Sequence, residues 1–154
     1  MPSTPCCTSQ ALRTSALAVA SLLYIAAGAN HFVNPKFYTR IVPPGFPSPG
    51  ALVAISGVAE IAGGVGLAIR PLRKAAGWGL IALLLAVFPA NIYMAMHPEK
   101  FPDVHLPRWT FYARLPLQGV LIAWVWYAAK LGRANQRDPI KPKSDTTPRA
   151  IQTP

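Results

Sequence analysis

Four apolar runs of about 20 residues each dominate this chain, and each is long enough, at about 1.5 Å of helical rise per residue, to cross a hydrocarbon core of about 30 Å. They run from Leu12 to Phe32, Ala51 to Ile69, Ala75 to Met96 and Leu115 to Leu131. The first three hold no Lys or Arg apart from Arg13 near the start, and the fourth is free of charge until Lys130. The alternation expected of β-barrel strands is missing. The pattern predicts an all-α chain, a four-transmembrane-helix bundle.

Composition agrees with that reading. Only 13% of the 154 residues are charged while 52% are hydrophobic, far from the balance of a water-soluble domain. The mean hydropathy of +0.30 is held down by polar ends. Residues 1–11 read as a disordered N-terminal tail, 12–131 as the membrane domain, and 132–154, rich in Pro, Lys, Asp and Thr, as a basic disordered C-terminal tail.

The connectors fit these bounds. Between the first two runs, Val42-Pro-Pro-Gly-Phe-Pro-Ser-Pro-Gly50 cannot continue a helix, because prolines lack amide donors. Arg70-Pro-Leu-Arg-Lys74 is a short basic turn, and His97 to Arg114 is a longer polar connector. Pro116 is expected in the opening turn of the last helix.

Basic residues orient the helices. Of the 15 Lys and Arg, Arg13, Arg70, Arg73, Lys74 and six between Lys130 and Arg149 fall on one side. Lys36, Arg40, Lys100, Arg108 and Arg114 fall on the other. Cytoplasmic loops carry the excess, so both termini are expected in the cytoplasm and the chain in the inner, cytoplasmic membrane. The net charge of +10 then reports membrane topology and contact with anionic lipid heads, with no nucleic acid implied. A cleaved leader ending at Ala27-Gly28-Ala29 is the competing reading, but the first apolar run is longer than a usual signal core.

Ionisable side chains are costly inside a bilayer and face the interior of a bundle, where they find partners. Glu60 lies near the middle of the second run, about 13 Å from either end. Gly57, Gly63 and Gly64, three and four residues away, share its face and allow close helix packing. Packing does not explain a carboxyl group there, which must be protonated, hydrogen-bonded or paired. His31 on the side of the first helix that also carries Tyr24 and Gly28, Asn91 in the third, and Arg114 and Gln118 at the start of the fourth all lie toward the same half of the membrane. Together with Glu60 they form a candidate polar pocket facing outward. Pro89 is expected to kink the third helix and free the carbonyl of Leu85.

The remaining candidates are weaker. Trp109, Phe111, Tyr112, Trp124, Trp126 and Tyr127 read as interfacial anchors, although aromatic residues also suit a quinone. His97, Glu99, Asp103 and His105 have no defined zinc spacing, so no metal is expected. Cys6 and Cys7 have no second pair with which to form a redox or metal site, and no haem motif is present.

Gly28-Ala-Asn-His31-Phe, Ile41-Val-Pro-Pro, Ser56-Gly-Val-Ala-Glu60-Ile-Ala-Gly-Gly, Phe88-Pro-Ala-Asn91-Ile-Tyr-Met and Arg114-Leu-Pro-Leu-Gln118, in that order and spacing, resemble the DoxX family of bacterial four-helix membrane proteins. The resemblance implies a four-helix membrane bundle. It also implies association with membrane oxidoreductase complexes, since the family takes its name from a subunit of a thiosulfate:quinone oxidoreductase. The expected function is therefore an accessory or anchoring subunit of a redox-related membrane assembly, with a membrane or redox-protein partner. Two alternatives stand beside it: a small-molecule or proton pathway, which would require a homo-oligomer, and a structural or assembly factor. Stand-alone catalysis ranks last, because no nucleophile is paired with a base.

Overall fold

The computed structural model describes residues 5–102 and 107–129, with side chains from Leu12 onward. Within these residues the protein is all-helical, with no strand. The helices are α1 (Pro5–Val33), α2 (Pro35–Ile41), α3 (Pro49–Ala68), α4 (Arg73–Met96) and α5 (Trp109–Ala129), with a 3₁₀ turn at Pro98–Lys100. The proposed C-terminal tail, Asp103 and His105 lie outside the described residues, as do the side chains of Cys6 and Cys7.

Three of the helices are long and apolar enough to cross a membrane: Leu12–Val33, Pro49–Ala68 and Arg73–Met96. Their bounds match the first three apolar runs within a few residues. The backbone of α1, however, is already helical from Pro5, ahead of the expected start at Leu12. Helix α5 has 21 residues but is not among the three. It begins at Trp109, so residues 109–114 extend the helix where a connector was expected. Pro116 falls inside it and not in its opening turn.

Successive long helices pack as neighbours, and α5 returns to α1 and closes the set. The tightest approach is between α1 and α3. A Cβ added to Gly28 would lie 2.5 Å from the Gly57 carbonyl oxygen, and one added to Gly64 would lie 2.8 Å from the Ser21 carbonyl oxygen. Two of the three packing glycines thus admit α1. The third, Gly63, admits Leu80 of α4, whose Cδ2 would meet an added Cβ at 2.5 Å.

Two apolar clusters stack along the long axis. One joins Ala20 and Tyr24 of α1, Leu67 of α3, Leu80, Ile81 and Leu84 of α4, and Val125 and Ala129 of α5. The other, at the opposite end, gathers Ile41, Met94, Phe101 and Phe111 with Phe37 and Tyr38 against them. Phe111 is therefore core, not the interfacial anchor its position suggested. Trp124 also turns inward, donating from Nε1 to the Ala16 carbonyl at 3.2 Å. Trp109, Tyr112, Trp126 and Tyr127 remain exposed.

Basic side chains bond helix carbonyls at the first cluster's end. Arg13 Nε donates to the Ala128 carbonyl at 3.2 Å, and Arg73 Nε to the Leu67 carbonyl at 2.9 Å. The last carbonyls of α3 have no intrahelical partner, and the Arg73 cation there also suits the helix dipole. The Arg13 contact places the third turn of α1 and the last described turn of α5 at one end of the molecule. At the other end, α2 and the proline-rich segment fold over the helices. Gly45 turns that segment with φ +111, a conformation that favours glycine.

Candidate functional site

A cavity of about 380 Å³ opens at the end covered by α2 and the proline-rich segment. His31, Glu60, Asn91 and Arg114 all line it. The fifth sequence candidate, Gln118, is buried at 4% exposure and reaches the site through Asn91, whose Nδ2 donates to Gln118 Oε1 at 2.8 Å. The other walls are mostly apolar, with Ile41, Val53, Leu83 and Val87 among them. This combination of apolar walls and a few convergent polar groups is typical of small-molecule sites.

The local geometry follows from the glycines. Gly57 lets α3 approach so closely that an added Cβ would meet His31 Cβ at 2.9 Å, and Gly28 would put its own Cβ 3.0 Å from Glu60 Cβ. His31 and Glu60 are thereby brought face to face between two helices, with Nε2 and Oε2 3.7 Å apart. That is ion-pair range but longer than a hydrogen bond. Glu60 Oε2 is buried and has no hydrogen-bond partner.

The other imidazole nitrogen is fixed. His31 Nδ1 lies 3.1 Å from the Val53 carbonyl oxygen and 3.0 Å from Ser56 Oγ. Ser56 Oγ donates its own proton to the same carbonyl at 2.9 Å. A carbonyl only accepts, so Nδ1 carries a hydrogen. In the neutral ring Nε2 is then bare and faces the carboxyl. A proton on Glu60 would set a neutral imidazole against a carboxylic acid, and a proton on Nε2 would set an imidazolium against a carboxylate. Both arrangements compensate the buried charge, which an isolated carboxylate would not.

Tyr38 of α2 covers the imidazole, its ring centroid 3.9 Å from that of His31 at an interplanar angle of 38°. The Tyr38 hydroxyl accepts from Asn30 Nδ2 at 2.9 Å, and Asn34 Nδ2 donates to Asn30 Oδ1 at 2.7 Å. On the far wall Gln118 Nε2 donates to the Leu84 carbonyl. Pro89 was expected to free the carbonyl of Leu85, and the side-chain donor instead reaches the preceding residue. Arg114 is exposed at the rim. Its length and fixed charge suit an anionic or strongly accepting group entering the mouth.

Ser56, Tyr38 and the Val53 carbonyl were not singled out from the sequence as parts of the site. Ser56 stands four residues before Glu60 and so shares its face, which is the one signal available for it. Tyr38 carried none, because its placement depends on α2 folding back across the helix ends. Of the connector residues weighed as metal ligands, His97 is engaged with its own helix, Nδ1 lying 3.0 Å from the Tyr93 carbonyl.

A family model described as a domain of unknown function, DUF8561, matches residues 20–129, from the buried face of α1 through the last described turn of α5. No curated protein and no solved structure matches the chain. The match covers well over half of the sequence and every residue of the pocket, and the chain belongs to the DUF8561 family.

Proposed function

We propose that this is a multi-pass protein of the cytoplasmic membrane in which all four long helices span the bilayer, both termini are cytoplasmic and the pocket opens to the outer side. In this reading it serves as an accessory or anchoring subunit of a redox-related membrane assembly, and its pocket receives a small amphipathic molecule of the quinone class. The His31–Glu60 pair carries the proposal. An ionisable pair buried among apolar helices is costly to keep, and this one faces a cavity with room for a ligand.

Several observations support the membrane arrangement. Helix α5 packs between α4 and α1 and turns Leu117, Val120 and Trp126 outward. It therefore presents an apolar outer face beside three helices that do the same, as expected of helices surrounded by lipid. Arg13, Arg70, Arg73 and Lys74 belong to the end opposite the pocket, and the sequence adds six more Lys and Arg from Lys130 onward. The resemblance of the ordered sequence motifs to DoxX proteins is what suggests the redox setting. A neutral ring carbonyl could accept from Asn91 Nδ2, or from His31 Nε2 when the imidazole is protonated, while an apolar tail lies along the walls.

Purification in mild detergent followed by mass spectrometry of bound lipids, quinones and proteins tests this reading. Wild-type protein should carry a quinone-class amphiphile and a redox-protein partner, and Glu60→Gln should lose the small molecule at an unchanged melting temperature. Empty wild-type protein without a partner would contradict the proposal. A Glu60→Gln variant that melts earlier but keeps the same bound species would favour a structural or assembly factor.

A further inference from the structure

The pocket is open along its side as well as at its mouth. Ile55 of α3 and Ala86 of α4 both line it, yet both are exposed, Ile55 to 64%. Residues that line a cavity and also face outward mark a gap in its wall, and this gap lies between α3 and α4. On the side of the gap toward the basic end, the same seam holds a second cavity. It is an external groove of about 390 Å³, lined by Ala59, Ala62 and Gly66 of α3 and by Ala75, Gly79 and Leu80 of α4. Its floor is the close contact of the two helices, where an added Cβ on Gly66 would meet Ala76 Cβ at 2.7 Å. Its surface is unfilled: Ala62, Ala75 and Gly79 are exposed, and nothing lies within 4 Å of the place that a Cβ on Gly79 would take.

The two cavities lie end to end. Ile55, Ala59, Ala62 and Gly66 fall on one stripe of α3, and Ala75, Gly79, Leu83 and Ala86 on one stripe of α4. Ala59 lines the groove and Glu60 the pocket, while Leu80 lines the groove and Leu83 the pocket. The step from one to the other is therefore about a single helical turn. Polarity divides the seam at that step. Glu60, His31, Asn91 and Arg114 belong to the pocket, and no side chain of the groove offers a donor or an acceptor. The pocket's volume of about 380 Å³ is near the lower end for small-molecule sites, which suits a compact head and leaves a long apolar chain to lie elsewhere. Seams of small residues in membranes commonly pack against another helix, but a packing seam has no need to run into a polar pocket. We propose that pocket and groove hold one amphiphile, its head among His31, Glu60 and Arg114 and its apolar chain leaving between Ile55 and Ala86 to lie along the α3–α4 groove from Ala59 to Gly66. The groove gives that chain about 10 Å of helix to follow. Because it faces outward, the ligand enters from the bilayer without its chain crossing water. This assignment rests on the quinone-class reading of the pocket and adds where the chain of that ligand lies.

Photolabelling of the full chain in nanodiscs of phosphatidylethanolamine and phosphatidylglycerol tests the assignment. The probe is a trimethyl-para-benzoquinone whose decyl chain ends in a diazirine. After illumination, peptide mass spectrometry of the wild type should find adducts on α3 between Ala59 and Gly66 and on α4 between Ala75 and Gly79, and excess quinone without the diazirine should compete them away. Ala62→Leu combined with Gly79→Leu fills the groove. The adduct yield should then fall about tenfold, because two buried methylene groups are worth that much affinity. Tetramethyl-para-benzoquinone, which has no chain, should quench the tryptophan fluorescence of this variant and of the wild type at the same concentration. Wild-type adducts confined to other faces, a map that needs no variant to fold, would overturn the assignment. So would equal labelling of the groove by a diazirine-bearing decanol without the ring, which gives the groove to bulk lipid, or a wild-type dimer that the filled groove splits, which gives it to a second copy. Failure of the chainless quinone to bind the wild type would instead overturn the quinone reading of the pocket, and this assignment with it.

Discussion

The surroundings of His31 Nδ1 are the residue-scale feature from which the chemistry of the site follows. A carbonyl and a serine hydroxyl that has already given its proton away both face Nδ1, so only Nε2 is left to answer the carboxyl. Nitrogen-15 NMR of the neutral imidazole should find the proton on Nδ1, and a neutral ring protonated at Nε2 would contradict the arrangement. Ser56→Ala removes one oxygen from this anchor. It should cost about 1 kcal/mol of stability, the usual worth of one hydrogen bond, and broaden the His31 signals, as read by thermal melting in detergent and by the same spectra. Glu60, His31, Asn91 and Gln118 were visible in the sequence because polar groups in apolar helices stand out against their surroundings. Ser56 was not, since a helical serine commonly bonds to its own backbone, and here it does so while also facing His31.

Among the helices, the crossing of α1 and α3 governs whether the pair exists at all. Gly28→Ala would push a methyl into the Gly57 carbonyl at 2.5 Å, so the helices must separate. Overpacking of this kind costs about 1 to 3 kcal/mol and would pull Glu60 away from His31. Gly79 has open space where its Cβ would lie, and Gly79→Ala should leave stability unchanged or raise it by up to about 1 kcal/mol through helix propensity. Thermal melts of the two variants check the contrast, and equal melting would refute the close-packed crossing. A second junction joins α4 to α5 through Asn91 and Gln118. A double-mutant cycle with Asn91→Ala and Gln118→Ala should return a coupling of about 0.6 to 2 kcal/mol, the range for interhelical hydrogen bonds in membranes. Independent effects would remove Gln118 from the site's support. The apolar runs made the first three helices legible because length and hydropathy are local properties. Helix α2 and the early start of α5 were hidden for the same reason. Proline-flanked segments read locally as loops, yet Phe37, Tyr38 and Phe111 gain an apolar cluster by folding into helix.

For the molecule as a whole, Arg13 bonds the Ala128 carbonyl of α5 and Arg73 caps α3 at one end, while the pocket lies at the other. Joined to the excess of basic residues in the sequence, this asymmetry predicts which side of the membrane the pocket faces. The all-helical architecture could be read from the sequence, but the closure of α5 against α1 could not, because it depends on contacts such as Trp124 to Ala16 between the two ends of the chain. Sided cysteine labelling tests the proposed orientation most directly. In a chain with Cys6 and Cys7 replaced by serine, a cysteine at Phe46, on the pocket mouth, should react with a membrane-impermeant maleimide on intact cells. A cysteine at Ser144 in the C-terminal tail should react only after permeabilisation. Labelling of the tail in intact cells, with Phe46→Cys protected until the membrane is opened, would contradict an outward-facing pocket.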